Sequence, residues 1–208
     1  MGEALMPARI ALVDYGAGNL TSVRKGFAAT GALVYTPASP GDLVDAAAVV
    51  VPGVGHFSAT STLSDDWRQA IAGAVGRGVP LLGICLGLQW LFESSAEAPG
   101  IAGLGAIRGR CERLPPVVKV PHVGWNSLEV VRESALLEGL ADGTQVYFTH
   151  TYAAPIAGET TATTTHGTRF SAAVERDRIF GVQFHPEKSG EAGIRVLRNF
   201  VRLAAGQG

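Results

Sequence analysis

The sequence predicts an α/β fold: a three-layer αβα sandwich whose central sheet is mostly parallel, with an antiparallel or mixed β extension. Two observations carry this. Through residue 94, short apolar runs alternate with stretches whose apolar residues recur at helical spacing, and glycine-rich turns separate them. From Gly103 to Ala173 the pattern changes to short strands and turns, as at an added sheet edge. No long polar linker and no repeat divides the chain, so residues 1–208 read as one domain with a sizeable core.

The stretch 1–8 reads as a mobile extension, with Met1 and Met6 both candidate starts. Arg9–Val13 (RIALV) is the first strand, ending at Asp14-Tyr15-Gly16-Ala17-Gly18-Asn19. Leu20, Val23, Phe27 and Ala28 then mark a helix closed near Gly31. The turn is Gly-x-Gly-Asn rather than G-x-G-x-x-G, so Asn19 as a helix N-cap is a better reading than a phosphate loop. Ala32–Thr36 and Ala46–Val51 follow as strands, the second running into Pro52-Gly53-Val54-Gly55-His56-Phe57. Bare N–H groups at the C-terminal end of a central strand suit an oxyanion hole, with Gly53, Val54 or Gly55 and Leu86 as backbone donors. An ordinary βα turn is the plain alternative. Leu63–Val75 is amphipathic and leads into the next strand.

Val79–Phe92 (VPLLGICLGLQWLF) is the centre of the chain's chemistry. Val79 to Ile84 reads as a buried strand, and Leu86, Leu88, Leu91 and Phe92 take helical spacing after it. Cys85 thus sits at a strand-to-helix turn inside Gly83-x-Cys-x-Gly87, the nucleophile-elbow pattern with a thiol. The helix N-terminus favours a thiolate there, against the commoner fate of a small buried hydrophobe.

Later strands are expected at Arg108–Leu114, Val117–Val120, Leu128–Val131, Gln145–His150, Thr161–Thr165 and Ile179–Phe184, with a final helix over Gly193–Leu203. Ile179–Phe184 runs into His185-Pro186-Glu187, and Pro186 holds His185 extended. In an extended segment His185 and Glu187 project together, so the carboxylate can orient the imidazole. Nucleophile, base and orienter are then Cys85, His185 and Glu187. A surface histidine and a helix-start acid are the plainer alternatives.

Lysine plus arginine (17) nearly balances aspartate plus glutamate (18), which argues against nucleic acid or an anionic membrane as partner. Two cysteines form no disulfide framework, and no apolar run has the length of a membrane span, so a cytoplasmic location is expected. The remaining histidines, His56, His122, His150 and His166, show no metal-ligand spacing. Neither a metal nor a cofactor is expected.

Gly83-Ile84-Cys85-Leu86-Gly87-Leu88-Gln89 together with Phe184-His185-Pro186-Glu187 resembles the class I, triad-type glutamine amidotransferases. Asp14–Asn19 (DYGAGN), Pro52–Phe57 (PGVGHF), Pro121–Asn126 (PHVGWN) and Tyr147–Tyr152 (YFTHTY) are similar to one branch of that class, the glutaminase subunits of imidazole glycerol phosphate synthases. The resemblance implies glutamine hydrolysis through a glutamyl thioester on Cys85, with ammonia passed to a separate cyclase subunit, an (α/β)8 barrel, in a heterodimer. It places Gly53-Val54-Gly55 in an oxyanion strand where a peptide flip can precede catalysis. Gln89 and Glu97 would hold the glutamine head group, with Thr151 and Tyr152 contributing backbone. Asn19, Trp125, Asn126, Tyr147 and Lys188 would face the cyclase.

Trp125 and Tyr147 also suit a core, Lys188 a solvated helix start, and Glu97 an exposed loop. Leu88 stands where some relatives in other pathways carry His, which speaks against the anthranilate and guanylate synthase glutaminases. Two alternatives stay open: a class I glutaminase serving another synthase, and a catalytically idle binding subunit.

Overall fold

The computed structural model describes residues 8–206, so the predicted extension lies almost wholly outside the described residues. The apolar runs form the strands β1 (Arg9–Leu12), β2 (Leu33–Tyr35), β3 (Ala48–Gly53) and β4 (Leu81–Cys85). The helical patterns between them form α1 (Leu20–Ala28), α2 (Asp65–Gly76) and α3 (Leu86–Leu91). Asn19 caps α1: its side-chain oxygen accepts from Ser22 N–H at 3.1 Å, which satisfies one of the unpaired first-turn donors.

An eight-stranded sheet runs in the order β2-β1-β3-β4-β13-β12-β11-β8. Here β13 is Ile179–Val182, β12 Thr168–Arg176, β11 Thr160–His166 and β8 Glu129–Val130. The first five strands are parallel, and β12, β11 and β8 extend the edge antiparallel. Alternation along the strands divides the core in two. Ile10, Leu12, Val50, Leu82 and Ile84 pack with Val23 and Phe27 of α1 and with Val196, Leu197 and Phe200 of α4 (Gly190–Ala204). Ala11, Val13, Val49, Val51 and Leu81 pack with Ile71 of α2 and Leu86, Leu88 and Leu91 of α3. The expected αβα layering with an antiparallel extension is what the chain adopts.

Several local expectations are corrected. Val117–Val120 forms no strand: Pro115 and Pro116 offer no N–H to a ladder, and Val117 is exposed at a turn. The helix after Cys85 stops at Leu91, and Phe92–Ser95 is a strand, β5. The reason is long-range: Leu104 N–H takes the Trp90 carbonyl and Gly105 N–H takes the Phe92 carbonyl, the groups a continuing helix would need. β5 pairs with β6 (Ile107–Arg113), and β10 (Tyr152–Ala153) completes a small second sheet. β7 (His122–Ser127), which shows no apolar alternation, pairs with β9 (Gln145–His150) as an antiparallel ribbon.

Candidate active site

Cys85 ends β4 at φ +55° and ψ −103°, strained backbone for a residue with a side chain. The flanking glycines are required by close approach. A Cβ on Gly87 would lie 1.8 Å from the Val51 carbonyl oxygen, and one on Gly83 would lie 2.5 Å from the Gly87 carbonyl oxygen. The elbow is therefore wedged between β3 and its own helix, with the thiol turned to one side. The Cys85 Sγ contacts the Thr149 carbonyl and the Gln183 amide, each at 3.7 Å.

His185 and Glu187 meet at 2.8 Å, Nδ1 to Oε1, with both side chains almost fully buried. The sequence expectation of two residues projecting from one extended segment is corrected. His185 is extended, but Glu187 lies in a single 3-10 turn, Pro186–Lys188, and the turn swings the carboxylate back under the ring. Glycines again make the room: a Cβ on Gly193 of α4 would lie 1.9 Å from the Pro186 carbonyl oxygen. Ser189 fixes the backbone, donating to the His185 carbonyl at 2.7 Å and accepting from Tyr147 N–H at 2.9 Å. His185 N–H in turn donates to the Tyr147 carbonyl. Burial opposes charge on His185, but the Cys85 sulfur and the Glu187 carboxylate outweigh it and raise its pKa to about 10. The Nε2 atom is buried and has no hydrogen-bond partner among the described residues, so it is free to move a proton.

A pocket of about 310 Å³ opens on Cys85, lined by Gly55, Leu86, Gln89, Glu97, Thr151 and Tyr152 among others. Seven residues nominated by the sequence, from four separate stretches, thus surround one cavity. The oxyanion candidates divide: Gly55 and Leu86 line this pocket, whereas Gly53 and Val54 line a second cavity of about 260 Å³, with Asn19, His185, Glu187 and Lys188. Glu97 Oε2 accepts from Phe57 N–H at 2.7 Å, which ties the pocket wall to the turn that follows β3.

Gln89 Nε2 donates to the Tyr152 carbonyl at 2.7 Å, and Gln183 Oε1 lies 3.3 Å from the same nitrogen. Gln183, buried between Cys85 and Gln89, was not singled out by the sequence, although a polar residue inside the apolar run IFGVQF is a visible signal. His150 was also unassigned. Its Nδ1 donates to the Tyr152 carbonyl at 2.9 Å, and its Nε2 pairs with His122 Nδ1 at 3.0 Å.

The predicted partner-facing residues separate as well. Trp125, half exposed, meets Tyr147 edge-on with ring centroids 6.1 Å apart, and Lys188 Nζ stands 5.8 Å from the Tyr147 ring centre. Asn126, next along the strand, points the other way. Its amide donates to the Thr165 carbonyl at 3.0 Å and contacts His122. Among the described residues no group of three or more His, Cys, Asp or Glu side chains is placed to hold a metal ion.

The family model of the class-I glutamine amidotransferases matches residues 11–204. A protein of Methanothermobacter thermautotrophicus named imidazole glycerol phosphate synthase subunit HisH is 48% identical over 195 residues, covering 93% of this chain and 98% of its own. Proteins of the same name from Halobacterium salinarum (47% over 215 residues, 99% and 98% covered) and Moorella thermoacetica (46% over 198 residues, 93% and 94%) match along similar lengths. In three dimensions the chain superposes on a structure titled glutamine amidotransferase with a TM-score of 0.74, at 20% identity and 94% and 98% coverage. A chain of the PurLQS structure from Thermotoga maritima gives a TM-score of 0.75 at 18% identity, with 95% and 99% covered. These two likenesses speak to the fold.

Proposed function

The chain belongs to the class I glutamine amidotransferases, and from that membership we propose that it is the glutaminase subunit of an imidazole glycerol phosphate synthase, serving histidine biosynthesis as one amidotransferase domain. It hydrolyses the glutamine side-chain amide to glutamate and ammonia. The observation that carries the mechanism is the convergence of Cys85, Gly55, Leu86, Gln89, Glu97, Thr151 and Tyr152 on one pocket, with the His185–Glu187 pair buried in the adjoining wall.

Glutamine enters that pocket with its amide against Cys85 and its amino-acid end toward Glu97, whose carboxylate attracts the α-ammonium. Cys85 Sγ attacks the amide carbon while the proton shared between the sulfur and His185 rests on Nε2, where the raised pKa of the ring holds it. The negative charge on the carbonyl oxygen is met by Leu86 N–H and an N–H of the Gly53-Val54-Gly55 segment. His185 hands its proton to the leaving nitrogen. The C–N bond breaks, ammonia departs, and a glutamyl thioester remains. Water then attacks the thioester while His185 takes its proton; glutamate leaves, and the sulfur is freed beside the protonated ring. Glu187 keeps Nδ1 protonated throughout, so that Nε2 faces the sulfur.

The partner is the cyclase subunit, a (β/α)8 barrel, docked on the face that carries Trp125, Tyr147, Lys188 and Asn19. The exposed apolar surface of Trp125 and the cavity joining Asn19 and Lys188 to His185 and Glu187 support that placement. Asn126 serves from beneath, holding the ribbon rather than touching the cyclase. Ammonia crosses to the cyclase, which makes imidazole glycerol phosphate and an aminoimidazole carboxamide ribotide.

Glutamate release from glutamine tests this, measured for the chain alone, with the cyclase, and with the cyclase and its nucleotide ligand. The expected result is little activity alone and a large rise in the full mixture. Cys85→Ala should abolish glutamine-dependent synthesis and spare synthesis from added ammonia. Activity indifferent to the cyclase would overturn the assignment.

A further inference from the structure

Tyr15 is a buried phenol that the mechanism above leaves without a task. Only 7% of it is exposed, and its Oη has no hydrogen-bond partner among the described residues. Leaving a buried hydroxyl unpaired costs about 1–3 kcal/mol, and such groups in native chains call for an explanation. A phenylalanine would fill the same space without that cost.

The placement of Tyr15 is specific. Its carbonyl accepts from Thr62 Oγ1 at 2.9 Å, and the Asp14 side chain closes the turn by accepting from Gly16 N–H at 3.0 Å. Held by these anchors, the Tyr15 hydroxyl presses on the end of β3. A Cβ on Gly53 would lie 2.0 Å from Tyr15 Oη and 2.9 Å from the Leu86 Cβ. Gly53 and Leu86 are where β3 and α3 come together beside Cys85, and Gly53 pairs in register with Cys85 itself. The hydroxyl therefore sits against the junction of the two backbone segments that supply oxyanion donors. Burial and the charge of Cys85 both raise the Tyr15 pKa, which keeps the phenol protonated and able to donate.

We propose that Tyr15 is a positioning residue for the oxyanion hole: its hydroxyl, unpaired in the resting chain, donates to the main-chain carbonyl of Gly53 as negative charge builds on the bound glutamine. The Gly53 carbonyl and the Val54 N–H belong to one peptide unit. A hydrogen bond to its oxygen fixes the orientation of the unit and strengthens its N–H as a donor. The inference rests on the glutaminase reading and adds a residue to it. It also accounts for the glycine at 53, since any side chain there would displace the hydroxyl.

Tyr15→Phe in the full chain, assayed with the cyclase and its ligand, is the test. Glutamate release should lose about tenfold in kcat with KM within about twofold, less than the ~10²–10³ lost with a direct donor. The thermal midpoint should stay level or rise, because the variant removes an unpaired buried hydroxyl. Synthesis from added ammonia should be unchanged. A variant with kcat within about twofold of the parent, or one whose loss of kcat accompanies a lower thermal midpoint, overturns the proposal alone. A parent complex that releases no glutamate overturns the glutaminase reading and this proposal with it.

Discussion

Mild acid should destabilise this chain through two histidines. Burial lowers His122 to about 4, helped by the neighbouring His166, and lowers His150 to about 3 against the opposing pull of the Tyr152 carbonyl. In the unfolded chain both titrate near ~6.5. Groups lowered in this way contribute stability that is whole above ~6.5 and is lost as pH falls toward the folded values, because the unfolded chain takes up protons that the folded chain refuses. Each histidine contributes a slope of about 1.4 kcal/mol per pH unit. At pH 5, about 1.5 units into the window, the pair costs on the order of 4 kcal/mol, a large part of the ~5–15 kcal/mol that holds a domain together.

The window is clean on both sides. Ordinary carboxylates enter only below about pH 4–4.5. His185 has the opposite sign: its raised pKa gives stability that is constant below ~6.5 and is lost as pH climbs toward about 10. Urea unfolding at pH 7, 6 and 5 measures the slope. His122→Phe keeps a ring stacked between Phe148 and His166 while removing one titrating group, so it should roughly halve the slope. Stability that is flat from pH 7 to 5, or an undiminished slope in His122→Phe, would refute this account of the pair.

Two further substitutions separate effects that the pocket combines. Glu97→Gln keeps an oxygen for Phe57 N–H but loses the charge, so the KM for glutamine should rise at least tenfold, or about 1.4 kcal/mol, with kcat little changed. Glu97→Met loses both and should lower kcat as well; equal kcat in the two variants would show that the bond to Phe57 does not matter for the rate. Gly87→Ala places a methyl 1.8 Å from a backbone oxygen that has nowhere to go, costing about 1–3 kcal/mol or more. At ~2–4 °C per kcal/mol its thermal midpoint should fall by several degrees, while Gly76→Ala, with open space around it, should leave the midpoint level or raised.

What could be read in the sequence was whatever the backbone itself demands. The strands β3, β4 and β13, and β1 after its exposed Arg9, stand out because burial on both faces leaves no polar position. The Gly-x-Cys-x-Gly elbow stands out because only glycine clears the Val51 and Gly87 carbonyls. β7 hid because its inward positions are His122, Gly124 and Asn126, which become an interior only when His150, Thr165 and Phe148 arrive from elsewhere in the chain. The end of α3 hid for the same reason, since residues 104 and 105 decide where residue 91 stops being helical.

The site divides along that line. Cys85, His185 and Glu187 were legible because their neighbours in sequence shape them, even though a 3-10 turn rather than strand alternation brings the last two together. Gln183, Ser189 and Tyr15 act on atoms at least 38 positions away in sequence, apart from Ser189's local bond to His185, and His150 meets His122 across 28 positions; spacing carries no trace of such meetings. Yet these are the groups that join the pieces. Tyr147 presents its ring beside Trp125 and Lys188 on the outer face, while its own N–H and C=O hold Ser189 and His185. A partner that shifts the Tyr147 backbone therefore acts on His185 twice, directly through the His185 N–H and again through the short Ser189 hydroxymethyl that bridges the Tyr147 N–H to the His185 carbonyl.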